Sequence, residues 1–169
     1  SRFINRTALN NFEYVNYFSA NKPIERLRNS GFKQSGFMQE LDFDINSNHS
    51  VYVNYWYIHT DRDLPPAMGI ANTYNEHQDD YSHKFIVKHN GALSSKINLI
   101  NKAAFINEQI NYYHDLLLPA FNDASTWLAE SQLNWKLSPL IEFSSSLNYT
   151  LQEAKTDGYH LGKQRHLIS

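Results

Sequence analysis

The sequence predicts an α+β fold, a small antiparallel sheet of three to five strands packed with about four helices, and three observations predict it. Leu9, Phe12, Val15 and Phe18 recur at three-residue spacing, Leu41, Phe43 and Ile45 alternate with acidic residues, and Ile106, Ile110, Tyr113 and Leu117 fall on one helical face. The chain is expected to form one domain over residues 1–157, followed by a polar tail over 158–169 that is open to disorder.

In chain order, the first pattern predicts an amphipathic helix over 7–19, and Pro23 suits the first turn of a second helix through Asn29, with Gly31 beyond its end. Alternation at residues 40–45 predicts a strand with one wet face. Asn46-Ser47-Asn48-His49 reads as a hairpin loop, and β-branched and aromatic residues over 51–59 supply the returning strand. Residues 60–82 are polar, carry Pro65, Pro66 and Gly69, and read as a long loop. Phe85 to Lys88 gives a third strand, stopped by Asn90-Gly91. Ile97 and Leu99 either continue a fourth strand or open the helix over 106–117. Pro119 ends that helix and starts another, in which Ala120, Ala124, Trp127 and Leu128 share a face. The segment from Pro139 is ambiguous between strand and irregular structure.

Composition narrows the function classes. The 169 residues carry a formal net charge of -2, so the broad basic field of a non-specific nucleic-acid binder is missing and nucleic acid is an unlikely partner. With no cysteine, disulfide scaffolds, thiolate catalysis and cysteine-based metal sites are excluded. No stretch approaches the roughly 20 apolar residues of a spanning helix, and the N-terminus lacks the order of a signal peptide. The expectation is a soluble chain without a membrane span, cytoplasmic or periplasmic. A start at Ser1 rather than methionine leaves room for a removed upstream segment.

Leu27 to Phe37 (LRNSGFKQSGF), Val51 to Trp56 (VYVNYW) and Leu116 to Asp123 (LLLPAFND) together resemble an uncharacterised family of small bacterial α+β domains. The resemblance implies a helix running into a Gly-Phe-Lys turn, following strands, and a late helix ending at a Leu-Pro pair. It implies no activity.

Two polar clusters carry the chemical candidates. Glu76-His77-Gln78-Asp79-Asp80-Tyr81-Ser82-His83 offers imidazole and carboxylate donors to a divalent metal. His59-Thr60-Asp61-Arg62-Asp63 offers a base with an aspartate to orient it. If the clusters meet, His59, Asp61, His77 and His83 form a metal site and the chain is a metal-dependent hydrolase. Otherwise both are solvated polar loops. Glu153-Ala154-Lys155 lacks the aspartate that a nuclease core needs, Ser144 to Ser146 lack a nucleophile elbow, and His114 reads as a helix-surface or satisfied core histidine rather than a ligand.

The leading expectation is a protein-binding domain, of inhibitor or immunity type, that holds another protein or a second copy of itself. Tyr52 and Trp56 on the aromatic strand would anchor the partner, and Asp42 and Asp44 would supply an acidic surface. Missing catalytic motifs lean against an enzyme.

Overall fold

The computed structural model describes residues 2–18, 25–65, 74–157 and 162–169. Every regular element among them is a β-strand: β1 (Phe3–Phe18), β2 (Glu25–Asp44), β3 (His49–Leu64), β4 (Glu76–Ala92), β5 (Ile97–His114), β6 (Ala120–Ser138), β7 (Ile141–Thr156) and β8 (Lys163–Ile168). They form one antiparallel sheet in which spatial order equals chain order, each strand paired with its sequence neighbours.

The α+β expectation is overturned, because no helix occurs among the described residues. Residues 7–18 of the first expected helix belong to β1, and residues 25–29 of the second belong to β2, while its start at Pro23 lies outside the described residues. The expected helices at 106–117 and beyond Pro119 are the end of β5 and the start of β6. Spacing explains the error: Ile106 and Ile110 are four residues apart, which suits one helical face and also one face of a strand, because four is even. Tyr113 breaks the tie by falling on the opposite strand face. The immunity-type reading leaned on chain size and on the resemblance to small α+β domains, and an all-β chain lends that resemblance no support.

The hairpin around Asn46–His49 is present and joins β2 to β3. Ile45 N donates to His49 O at 2.9 Å, and Asn46 Oδ1 accepts from Asn48 N at 2.8 Å. The described residues of the polar stretch 60–82 are mostly strand, since β3 runs to Leu64 and β4 begins at Glu76. Lys163–Ile168 pairs with β7 as β8.

Connections differ sharply between the two ends of the sheet. Residues 45–48, 93–96 and 139–140 make tight turns at one end, while residues 65–75 make the longest connection at the other. The tight turns are closed by short polar side chains. Ser94 Oγ accepts from Lys96 N and Ile97 N at 3.2 and 3.1 Å, and Ser138 Oγ accepts from Leu140 N at 3.3 Å.

Strand length and burial set this sheet apart from a soluble core. β1 to β7 each have 16 to 20 residues, against the usual 3–10. A 20-residue strand extends about 66 Å at roughly 3.3 Å per residue. Among the described residues no hydrophobic side chain is buried, and the only buried polar ones are Ser30 and Asn54. The chain exposes 12279 Å², where a compact folded protein of 19.7 kDa exposes about 8,600 Å². The sheet is a single layer, and both its faces look outward.

Candidate functional site

Because side chains alternate along a strand and registered partners share a face, the pairing assigns every described strand residue to one of two faces. The ladder Arg6–Glu40–Asn54–Ile86–Ala104–Leu128–Thr150 lies on the even-numbered face, and Leu41–Val53–Val87–Ala103–Ala129–Tyr149 lies on the odd-numbered face. Over residues 3–11, 35–43, 49–59, 81–91, 97–113, 125–135 and 143–151, the odd face carries no Asp, Glu, Lys or Arg. The even face carries eight in the same stretches, among them Arg6, Glu40, Lys84, Lys102 and Glu130. Aromatics border the odd face toward the tight turns. Phe3 and Phe43 have ring centroids 4.7 Å apart, and Trp135 sits across from Phe143. Further along, Phe105 packs on Trp127 at 4.3 Å.

Polar groups on the even face satisfy one another. Tyr52 Oη donates to Glu40 Oε1 at 2.9 Å, and the buried Asn54 donates through Nδ2 to Glu40 Oε1 at 3.2 Å and to Tyr52 Oη at 3.1 Å. Arg6 pairs with Glu40 at 3.4 Å and Lys102 with Glu130 at 3.0 Å. Asp42 lies across from Tyr52, and Asp44 across from Ser50. Trp56 is 42% exposed and borders a hollow of about 180 Å³ where Gly36 has no side chain. Tyr52, Trp56, Asp42 and Asp44 therefore share one face.

Nearer the long connections the even face holds an open pocket of about 300 Å³ lined by Thr60, Arg62, Asp80, Ser82, Glu108 and Ile110. Arg62 Nη2 pairs with Asp80 Oδ2 at 2.9 Å, while Arg62 Nε is buried without a hydrogen-bond partner among the described residues.

On the odd face at the same end, the β3–β4 ladder sets Asp61 across from Asp79, Asp63 across from His77, and His59 across from Tyr81. His59 Nε2 lies 3.2 Å from Asp79 Oδ1, and its ring stacks on Tyr81 at 4.4 Å with 7° between the planes. His77 Nδ1 lies 3.2 Å from Asp63 Oδ1, and His77 Nε2 lies 3.6 Å from Asp79 Oδ1. Asp63 Oδ2 also accepts from Gly31 N at 3.3 Å. Asp61, His77 and Asp79 each offer a donor atom within 4.8 Å of the other two. Of the four metal candidates from the sequence, His59, Asp61 and His77 meet here. His83 does not, because it lies across from Tyr57 and bonds Tyr55 Oη through Nδ1 at 2.9 Å. The sequence reading missed Asp79 as the shared partner and Asp63 as the residue orienting His77. Antiparallel pairing of residues 59–63 with 77–81 is the signal that locates both.

Neither a protein-family model nor a curated protein matches this chain. Solved structures do. The siderophore receptor PiuA from Acinetobacter baumannii superposes with a TM-score of 0.66 at 15% identity over 91% of this chain. BauA, the ferric preacinetobactin receptor of the same organism, gives 0.64 at 11% identity over 82%. The chain spans 27% of the length of each. At these identities the likeness shows a shared fold, an antiparallel wall of long consecutive strands. The segments that resemble a small α+β family lie on β2, on β3, and across the turn between β5 and β6 into the start of β6.

Proposed function

We propose that this chain forms part of the wall of an outer-membrane β-barrel that serves as a receptor for a ferric siderophore. The observation that carries the reading is the charge-free odd face opposite a charged even face. In a lipid-spanning barrel, strands alternate apolar outward with polar inward, short turns lie at one end and longer loops at the other, and aromatics rim the apolar band. On β3 the charge-free run 49–59 has ten steps, about 33 Å along the strand at roughly 3.3 Å each. At a tilt of about 40–45° that projects to about 23–25 Å, close to the band height of such barrels.

A single-layer sheet also needs something to cover the unpaired outer edges of β1 and β8, because lipid offers no hydrogen bonds to open strand edges. Further strands of a longer barrel supply that pairing in the proposed assembly. Among the described residues no helix is long and apolar enough to cross a membrane, which says nothing of strands that cross. Siderophore recognition is carried over from the similarly folded receptors. The even-face pocket lined by Thr60, Arg62, Ser82 and Glu108 is the polar hollow of this wall that such a ligand would meet in the proposed assembly.

Fractionation and iron uptake test the proposal together. Phe85 is an exposed odd-face residue and Ile86 an exposed even-face neighbour. Phe85→Lys is expected to deplete the protein from the outer membrane, at a cost of about 2–4 kcal/mol near the bilayer midplane, while Ile86→Lys remains inserted. Equal insertion of both would sink the membrane reading. Loss of the gene with unchanged growth on every ferric siderophore the cell uses would sink the receptor reading alone.

A further inference from the structure

We propose that Asp61, His77 and Asp79 bind one divalent first-row metal ion of the zinc class on the odd face, joining the ends of β3 and β4 beside the longest connection. The odd face is the one assigned to lipid, but this cluster lies beyond its charge-free run, where the strands carry ionisable groups again.

Three features support an ion rather than a solvated cluster. First, Asp61 and Asp79 are direct cross-strand partners, and like charges in that position repel. Asp63 adds a third carboxylate against His77, and Arg62, the nearest guanidinium in sequence, alternates onto the other face and pairs with Asp80. A divalent cation relieves that repulsion. Second, ligands 2.0–2.1 Å from a tetrahedral centre stand about 3.3–3.4 Å apart. His77 Nε2 and Asp79 Oδ1 are separated by 3.6 Å, and donors of all three residues fall within 4.8 Å. Third, the imidazole is already oriented from behind. Carboxylates only accept, so Asp63 Oδ1 at 3.2 Å, with Asp61 Oδ1 at 3.7 Å, holds the proton on His77 Nδ1 and leaves the Nε2 lone pair toward Asp79, the carboxylate–histidine arrangement of metal sites. His59 Nε2 contacts the same Asp79 Oδ1 at 3.2 Å and keeps that carboxylate at the cluster, and its own ring is fixed by stacking on Tyr81.

With three protein ligands, the fourth position is open to water or to a group on a ligand or neighbouring molecule. One imidazole and two carboxylates suit zinc, with manganese a weaker competitor in the usual order of affinities.

The test is titration of the full-length protein in detergent with zinc chloride against a chromogenic chelator, with uptake as the readout whether or not the protein transports anything. One saturable zinc per chain is expected. Affinity should fall at least 10-fold in Asp79→Asn, and about 10–100-fold in Asp63→Ala, which removes the carboxylate that orients His77 together with its bond from Gly31 N. His83→Ala should leave affinity unchanged. Circular dichroism identifies any variant that fails to fold, and His77→Gln, which should also lower affinity at least 10-fold, then replaces it. Absence of saturable uptake by the wild-type protein, or uptake unchanged in Asp79→Asn, overturns the proposal and leaves an ion-pair cluster only.

Discussion

His49 and His89 stack face to face on neighbouring strands, with ring centroids 5.3 Å apart, 10° between the planes, and Nδ1 of His49 lying 3.1 Å from Nε2 of His89. The contact extends across the odd face. Asn101 Nδ2 lies 3.3 Å from His89 Nδ1, and Ser131 Oγ donates to Asn101 Oδ1 at 2.9 Å, so one polar line crosses four strands.

Gly91 makes room for that stack. A Cβ there would lie 2.9 Å from His49 Nδ1 and 2.9 Å from His89 Cε1, closer than atoms pack, so one ring must turn away. Gly91→Ala is therefore expected to lower stability by about 1 kcal/mol, the worth of one hydrogen bond, seen as a lower urea midpoint in equilibrium unfolding. An unchanged midpoint would mean that the rings re-stack without cost.

Asn29 has φ of 50°, and its Nδ2 donates to Leu64 O and Glu76 O, both at 2.8 Å. It ties β2 to the last residue of β3 and the first of β4. Glycine tolerates that φ and alanine does not. Both substitutions lose the two bonds, so Asn29→Ala should destabilise by about 1–2 kcal/mol more than Asn29→Gly in the same unfolding assay.

Asn54 is 5% exposed and holds Glu40 and Tyr52 together. Asn54→Leu leaves a part-buried carboxylate and phenol short of a donor. The expected loss is about 1–3 kcal/mol. Adding Glu40→Gln to Asn54→Leu should cost less than the sum of the two single changes, a coupling that a double-mutant cycle measures directly.

Lys102 and Glu130 are 3.0 Å apart, but their side chains are 43% and 31% exposed. Water screens them. Glu130→Gln should change stability by less than about 1 kcal/mol, and the effect should shrink further at high salt.

The contrast between legible and illegible parts has a physical cause. Val51 to Tyr57 announce a strand because β-branched and aromatic side chains suit a pleated surface, and Asn46 to Asn48 announce its turn. Elsewhere the usual alternation is blurred. A sheet in one layer places Trp56, Ile86 and Leu128 on the charged face and Asn101, Ser131 and Gln39 on the uncharged one, so no strict apolar–polar period survives. The discriminating quantity is charge rather than hydrophobicity, and it emerges only when registered strands are compared. The metal cluster is similar: His59, Asp61 and His77 stand out by local density, but pairing decides that Asp79 joins them and that His83, six residues from His77, does not.

Pairing of each strand with its sequence neighbours has a kinetic consequence. Each hairpin finds its partner adjacent in the chain, so the sheet can grow strand by strand with short loop closures and little entropic delay. The exception is any pairing that brings the outer edge of β1 to a distant strand, which no preceding hairpin prepares. Closure of such a ring, rather than growth of its wall, is the step that would limit assembly.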